Sequence, residues 1–347
     1  MTAVVFANAA SAQIASYPSL DDATEWFRPV DSPVFSTVHG NNHDPILFHD
    51  PDAAYPYHLI ISHQSSGAFL WRTKTFSWSS EDWELVSDSY QIARHYEFDD
   101  GVKVGDTYYI YEDGFVYTYS GDLAESSGKW SRAGTFPKNA CDDIGVFYED
   151  GVFHIFGEEG DFPHGYDGTQ LSHYTSGTGL DDWTLVNNKA VDPNPDGGAT
   201  YGVGDPTLIK ANGTYYLFCD IESKGKPYRV VAWKTEDLNE PFTYLGVALA
   251  PRSDETDDWD NHRVQDADIA YIPELKRFVM VCNMMDTDGR NPDNVAPFLK
   301  NNATRVVGTF YAKVTEGDSD TLVEGISILP DADSLHDAAP HKKDVPD

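Results

Sequence analysis

Carboxylates recur in this chain directly in front of short apolar runs. "HDPILFHD" (43–50) and "GDPTLIK" (204–210) show the pattern with proline in second place, and five residues, Asp44, Asp99, Asp143, Asp205 and Asp266, each lead such a run. Carboxylates gathered in one confined place repel one another and lose solvation, so at least one holds its proton to higher pH while others stay ionised. That division supplies a proton donor for a leaving oxygen and a carboxylate that activates water, the pair that hydrolysis of a glycosidic bond requires. A second kind of donor stands in "DWDNHRVQDAD" (258–268). His262 is a candidate donor because the unperturbed pKa of histidine lies near neutrality, and a neighbouring carboxylate such as Asp260 or Asp266 would raise it. An aspartate opening a strand also caps a turn, and proline is tolerated at a strand's first residue, so the positions have a structural use as well.

The elements that position these residues come from a repeat. Five segments share an order of aspartate, apolar strand, polar turn and aromatic strand: those led by Asp44 and Asp205, with "FDDGVKVGDTYYIYEDG" (98–114), "DDIGVFYEDGVFHIFGEEG" (142–160) and "QDADIAYIPELKRFVMVCN" (265–283). The leading aspartates lie 55, 44, 62 and 61 residues apart. Glu149-Asp150-Gly151 and Ala211-Asn212-Gly213 carry the turn chemistry of tight hairpins. Third strands such as "FLWRT" (69–73), "LSHYT" (171–175) and "VVAWKT" (230–235) are followed by "DWELV", "DWTLV" and "FTYLG" segments. Units of about 40–60 residues with four strands each are the mark of β-propeller blades. The expectation is an all-β, five-bladed β-propeller over 41–330. Residues 1–13 are a leader remnant or arm, 14–40 an arm that either packs on the propeller or completes the ring's closure, and 331–347 a flexible acidic tail. The segment 283–303 is a long loop inside the last blade.

In a propeller the start of each innermost strand and the end of the next surround one mouth of the channel. The five aspartates should converge there with His63, Glu112, Glu158, Glu159, Asp220, Glu222 and Asp286. Trp71, Tyr166 and Tyr201 are candidates for stacking on sugar rings, and His43, His95, Glu158, Glu222, Gln265 and Asp266 for binding hydroxyls.

Composition narrows the partners. With 57 acidic against 24 basic residues the formal net charge is −33, which argues against a nucleic-acid partner, whose phosphates would be repelled, and suits a solvated surface in salt-rich or marine surroundings. The 3 cysteines show no metal or disulfide spacing and no histidine pair has zincin spacing. No metal-ligand motif and no required cofactor are therefore expected, although the channel could hold a structural divalent cation. No apolar run is long enough to span a bilayer. The start "MTAVVFANAASAQIAS", with Ala10-Ser11-Ala12 ahead of Gln13, is similar to the end of a secretory leader, implying a secreted or periplasmic protein. A homodimer is compatible with the sequence.

The order of these motifs resembles the five-bladed propeller glycoside hydrolases of families 43 and 117 and their relatives 32, 62 and 130. The resemblance covers about 44–330. In family 43 terms, Asp44 in "HDPI" matches the base and Asp143 in "CDDIGVF" the orienting aspartate. Asp205 stands where that family has an acid glutamate, with Glu222 as the reserve donor. In family 117 terms, Asp44, Asp205 and His262 follow the order of base, blade-four aspartate and histidine acid, although Arg263 stands where that family has a glutamate. The resemblance implies an inverting, exo-acting hydrolase of polysaccharide-derived oligosaccharides. Its substrate would carry 3,6-anhydro-L-galactose-type α-1,3 linkages or, in the family 43 alternative, arabinofuranosyl or xylosyl units. A non-catalytic sugar-binding propeller is the other class.

Overall fold

The computed structural model describes residues 17, 19–20, 22–29, 34–35, 42–63, 67–92, 98–112, 114–137, 142–159, 169–193, 195, 200–223, 228–251, 263–285, 305–312 and 325–327. The chain enters through β1 (Trp26–Pro29) and β2 (Val34–Phe35). Blade one holds β3 (Asn42–His49), β4 (Tyr57–His63), β5 (Gly67–Thr73) and β6 (Glu84–Tyr90). Blade two holds β7 (Asp100–Val104), β8 (Thr107–Glu112), β9 (Phe115–Ser120) and β10 (Ser131–Thr135). Blade three runs through β11 (Asp142–Glu149), β12 (Val152–Glu159), β13 (Gln170–Ser176) and β14 (Thr184–Asn187). Blade four is built from β15 (Thr200–Ala211), β16 (Thr214–Ser223), β17 (Arg229–Thr235) and β18 (Thr243–Leu249). Blade five contains β19 (Arg263–Ile272), β20 (Arg277–Met285), β21 (Arg305–Ala312) and β22 (Gly325–Ser327).

Blades one to four are antiparallel meanders, and the innermost strands meet in the order β3, β7, β11, β15, β19 and back to β3. The protein is a five-bladed β-propeller. Its fifth sheet has the order β19-β20-β21-β1-β22, so the incoming chain forms that blade's fourth strand. Of the two places expected for the N-terminal arm, its strand β1 takes the second and completes the ring's closure. Trp26 anchors this closure: it is fully buried, its indole N–H donates to the Ala23 carbonyl at 3.0 Å, and its ring meets Phe218 edge-on.

Propeller blades bury both faces, so the middle strands read as nearly continuous apolar or aromatic runs rather than strict alternation. Five separate cores result, one between each neighbouring pair of blades. Ile60, Phe98 and Ile110 fill the space between blades one and two, and Phe156, Leu217 and Trp233 that between blades three and four. The hairpin turns follow their sequence chemistry. Asp150-Gly151 and Asn212-Gly213 all have positive φ, as a type I′ turn demands.

Innermost strands approach closely at the channel. A Cβ placed on Gly145 would lie 1.9 Å from the Pro206 carbonyl oxygen, so only glycine lets β11 reach β15 beside Asp205. Gly145→Ala is expected to destabilise the fold by about 1–3 kcal/mol or more through overpacking. Calorimetric unfolding checks this, and an unchanged melting temperature would show that the two blades can part without cost.

Two further aspartates stitch the ring. Asp268 accepts the Leu47 N–H of blade one at 2.6 Å, the Thr207 hydroxyl of blade four at 3.2 Å and the Ile269 N–H at 2.7 Å. Asp100 accepts the Val146 N–H of blade three at 2.7 Å and the Gly101 N–H at 2.6 Å. Burial pushes both carboxyls up, Asp268 to about 6, and the charge of Asp268 adds to the rise at Asp100.

Candidate active site

The leading aspartates are the extra residues of β-bulges. In blade one His43 pairs with Ser62 and Pro45 with Ile61, leaving Asp44 outside the ladder. Asp143 is skipped in the same way between Asp142 and Ile144, Asp205 between Gly204 and Thr207, and Asp266 between Gln265 and Ala267. All four adopt left-handed backbone, with φ of 46°, 33°, 46° and 49° respectively. Aspartate tolerates this conformation because its short polar side chain can bond locally, whereas other L-residues pay about 1–2 kcal/mol. A bulge breaks the alternation and re-aims one side chain. Here it turns each carboxylate toward the channel mouth instead of into an inter-blade core.

Blade two lacks this device. Asp99 has no positive φ, its N–H simply bonds to the Tyr111 carbonyl at 3.0 Å, and β7 runs unbulged from Asp100. The expected five-fold ring of aspartates is therefore four-fold, with blade two contributing the buried stitch of Asp100 instead. The "DD" of blade two and the "DAD" of blade five each carry a second acid, the one signal that could have found Asp100 and Asp268.

At the mouth, Asp44, Asp205 and Asp266 each offer an oxygen within 4.8 Å of the others. Asp44 is held from behind by His43, whose Nδ1 lies 2.6 Å from Oδ2, and His43 itself is buried. Asp266, also buried, receives one amide hydrogen on each oxygen. Gln265 Nε2 donates to Oδ1 at 2.8 Å and Asn283 Nδ2 to Oδ2 at 2.6 Å. Asp205 is pushed well above the usual carboxylate range, first by burial and then by the charges of Asp220, Asp266, Asp143 and Asp44. Asp143 thus acts on the same mouth electrostatically. Glu158 and Asp220, both buried, converge beside Gly204: a Cβ there would stand 2.7 Å from Glu158 Oε2 and 3.3 Å from Asp220 Oδ1. Sequence reading counted Asp220 only among the mouth's many acids. It is the largest charge acting on Asp205.

Other candidates fall elsewhere. Trp71 lies within β5, half-buried, with its ring packed against Phe35 at the core between blades five and one. His95, Tyr166, His262, Asp260 and Asp286 lie outside the described residues, as do the side chains of His63, Tyr201 and Glu222. Of the cysteines, Cys219 and Cys282 are free and buried, while Cys141 also lies outside the described residues. The spacing bears on the acid. An inverting pair stands about 6.5–9.5 Å apart to admit water. Asp44 and Asp205 each offer one oxygen within 4.8 Å of the other's and form one cluster with Asp266.

No protein-family model and no curated protein sequence matches the chain. Among solved structures it is similar to an N-acetylgalactosamine deacetylase from F. plautii crystallised with blood group B trisaccharide. The identity is 11%, with 84% of this chain and 95% of that one covered and a TM-score of 0.58. An α-L-arabinofuranosidase from Podospora anserina, crystallised with cellotriose, is 14% identical over 85% of this chain and 99% of that one, at a TM-score of 0.56. A family-43 glycoside hydrolase enzyme from Xanthomonas citri is 14% identical over 92% and 97%, at 0.52. At these identities the likeness is one of fold: this chain shares the five-bladed propeller of proteins that act on carbohydrates.

Proposed function

We propose that the protein is a glycoside hydrolase that releases terminal sugars from polysaccharide-derived oligosaccharides by an inverting, exo-acting mechanism. The observation that carries this reading is the four-fold set of aspartates in left-handed bulges at one channel mouth. Strained backbone of this kind persists where the surrounding structure over-determines it, which is characteristic of working sites. Asp44, oriented by His43, is the base that takes a proton from water. The closeness of Asp205 to Asp44 favours a donor from outside their cluster. His262 suits this role, since it directly precedes Arg263, where β19 begins, and Glu222 is the reserve. Asp143 and Asp205 tune and position.

A second reading has a specific support: fold relatives described as an arabinofuranosidase and a family-43 hydrolase favour arabinofuranosyl or xylosyl substrates. The protein is read as exported, with an acidic surface suited to salt. The test is turnover of neoagaro-, arabino- and xylo-oligosaccharides, with proton NMR of the first anomer released. Release of a single terminal sugar with inverted configuration is expected. Retained configuration would overturn the mechanism, arabinose or xylose alone would select the second reading, and binding of these glycans without cleavage would make the propeller a sugar-binding module.

A further inference from the structure

The hairpin turn of blade four carries a chemistry of its own. Asn212-Gly213 is the one Asn-Gly step in the sequence, and it joins β15 to β16. Both residues are exposed and both have positive φ, 46° and 84°. The ladder closes on the pair Ala211–Thr214, which leaves Gly213 outside it, and a Cβ built on Gly213 would meet nothing within 4 Å, so the turn is open to solvent there. An asparagine's Cγ and the next backbone nitrogen can close a five-membered ring, and glycine, with no side chain, is the successor that hinders this approach least.

The same turn anchors the incoming chain. The Asn212 backbone N–H donates to the Tyr17 carbonyl at 2.9 Å and its Nδ2 to Ser19 Oγ at 2.9 Å, while Tyr17 forms a parallel bridge with Ala211. Leu20 and Ala23 then enter the core with Ile209, Ala211 and Phe218, and the chain continues into β1, which closes blade five. Asn212 therefore holds, by backbone and side chain, the strap that leads into the closure. Blade three provides the contrast. Its turn Asp150-Gly151 has φ of 50° and 84°, so an aspartate fits this geometry. An iso-aspartate does not, because it inserts a methylene into the main chain of a two-residue loop whose twist matches its strands.

We propose that Asn212 is a self-modification site, at which deamidation to iso-aspartate releases the N-terminal strap from blade four and loosens the closing blade. The Gly213 nitrogen bonds to Asn212 Cγ as the Cγ–Nδ2 bond breaks, and Nδ2 departs as ammonia with the proton that the Gly213 nitrogen gives up. Water then cleaves either C–N bond of the cyclic imide. The Gly213 nitrogen regains a proton, and the chain runs on through aspartate or iso-aspartate. Water is the only co-reactant. The bond to Ser19 fixes the amide's rotamer and so restrains the first step. The site concerns the chain's own backbone and does not require the hydrolase reading.

The test ages the full chain at mildly alkaline pH, where more of the Gly213 amide is deprotonated for attack. Peptide mapping follows Asn212, a protein iso-aspartyl methyltransferase reads iso-aspartate, and chymotryptic cleavage after Trp26, fully buried in the closed ring, reads release of the strap. Asn212 should convert ahead of every other asparagine. The aged chain should be cleaved about ten-fold faster than the fresh one, as local opening gains from the loss of two anchoring hydrogen bonds. Ser19→Ala should deamidate about two- to ten-fold faster, the factor that one hydrogen bond is worth. Asn212→Asp should be cleaved as slowly as the fresh chain. An Asn212 that stays intact, or converts no earlier than the other asparagines, would overturn the site. Conversion with unchanged cleavage, or Asn212→Asp cleaved as fast as the aged chain, would overturn release by iso-aspartate.

Discussion

Asp44→Asn is expected to lower turnover of the cleaved oligosaccharide by about 10³-fold or more, within the range that a positioned acid or base contributes. The substitution is unusually clean at this position. Asparagine tolerates left-handed backbone as well as aspartate does, so the bulge at φ 46° survives and the loss is not one of folding. The amide also retains an oxygen to accept from His43 Nδ1. What disappears is the capacity to take a proton from water. Steady-state kinetics with a parallel melting curve decide the matter: a folded variant with near-normal turnover would remove Asp44 from the chemistry. Asp44→Ala, by contrast, should lose activity and also pay about 1–2 kcal/mol for alanine in that conformation.

A second large effect concerns acid stability and arises away from the mouth. His58 is buried, neither ring nitrogen has a hydrogen-bond partner among the described residues, and burial pushes it down to about 4. The unfolded chain takes up this proton near pH 6.5, while the folded one resists until about 4. Stability is therefore fully present above pH 6.5 and falls as pH drops from there toward 4, by up to about 3 kcal/mol from this residue. His154 and His173, stacked with Nδ1 and Nε2 3.0 Å apart, are pushed down by burial to about 4 and about 3 and act in the same direction. Asp268, raised to about 6, opposes them: the fold holds its proton where the unfolded chain has released it, so its effect favours folding as pH falls from 6 toward 4.

His58→Leu isolates one component of this balance. At pH 7 the exchange removes a polar group without a partner and should be neutral or stabilising. Between pH 7 and 4.5 the variant should lose less stability than the unaltered protein, by up to about 3 kcal/mol, because the opposing carboxylates are untouched. Denaturant unfolding at the two pH values measures the difference. Identical pH profiles would show that His58 titrates normally in the folded chain.

Much of this architecture is local and therefore legible. Alternating apolar and aromatic runs, and turns such as Asn212-Gly213, are decided by near neighbours, and their repetition is enough to count the blades. Asp44, Asp143, Asp205 and Asp266 are visible at the strand starts for the same reason. The sequence does not distinguish Asp99 from them, because a bulge is a property of the pairing between two strands. It likewise cannot separate Trp71 as core from Trp71 as platform, since both uses ask for an aromatic at a strand position.

By itself the sequence determined the five-bladed propeller, its hairpin turns and the strand starts at which Asp44, Asp143, Asp205 and Asp266 stand. Only the tertiary structure decided that Asp44, Asp205 and Asp266 share one cluster. It also decided that Asp268 bonds to Leu47 across 221 positions and that β1 closes the fifth blade. The physical reason is ring closure. It brings together residues hundreds of positions apart, at distances set by inter-blade packing and by glycines such as Gly145, and no local pattern in the chain records those distances.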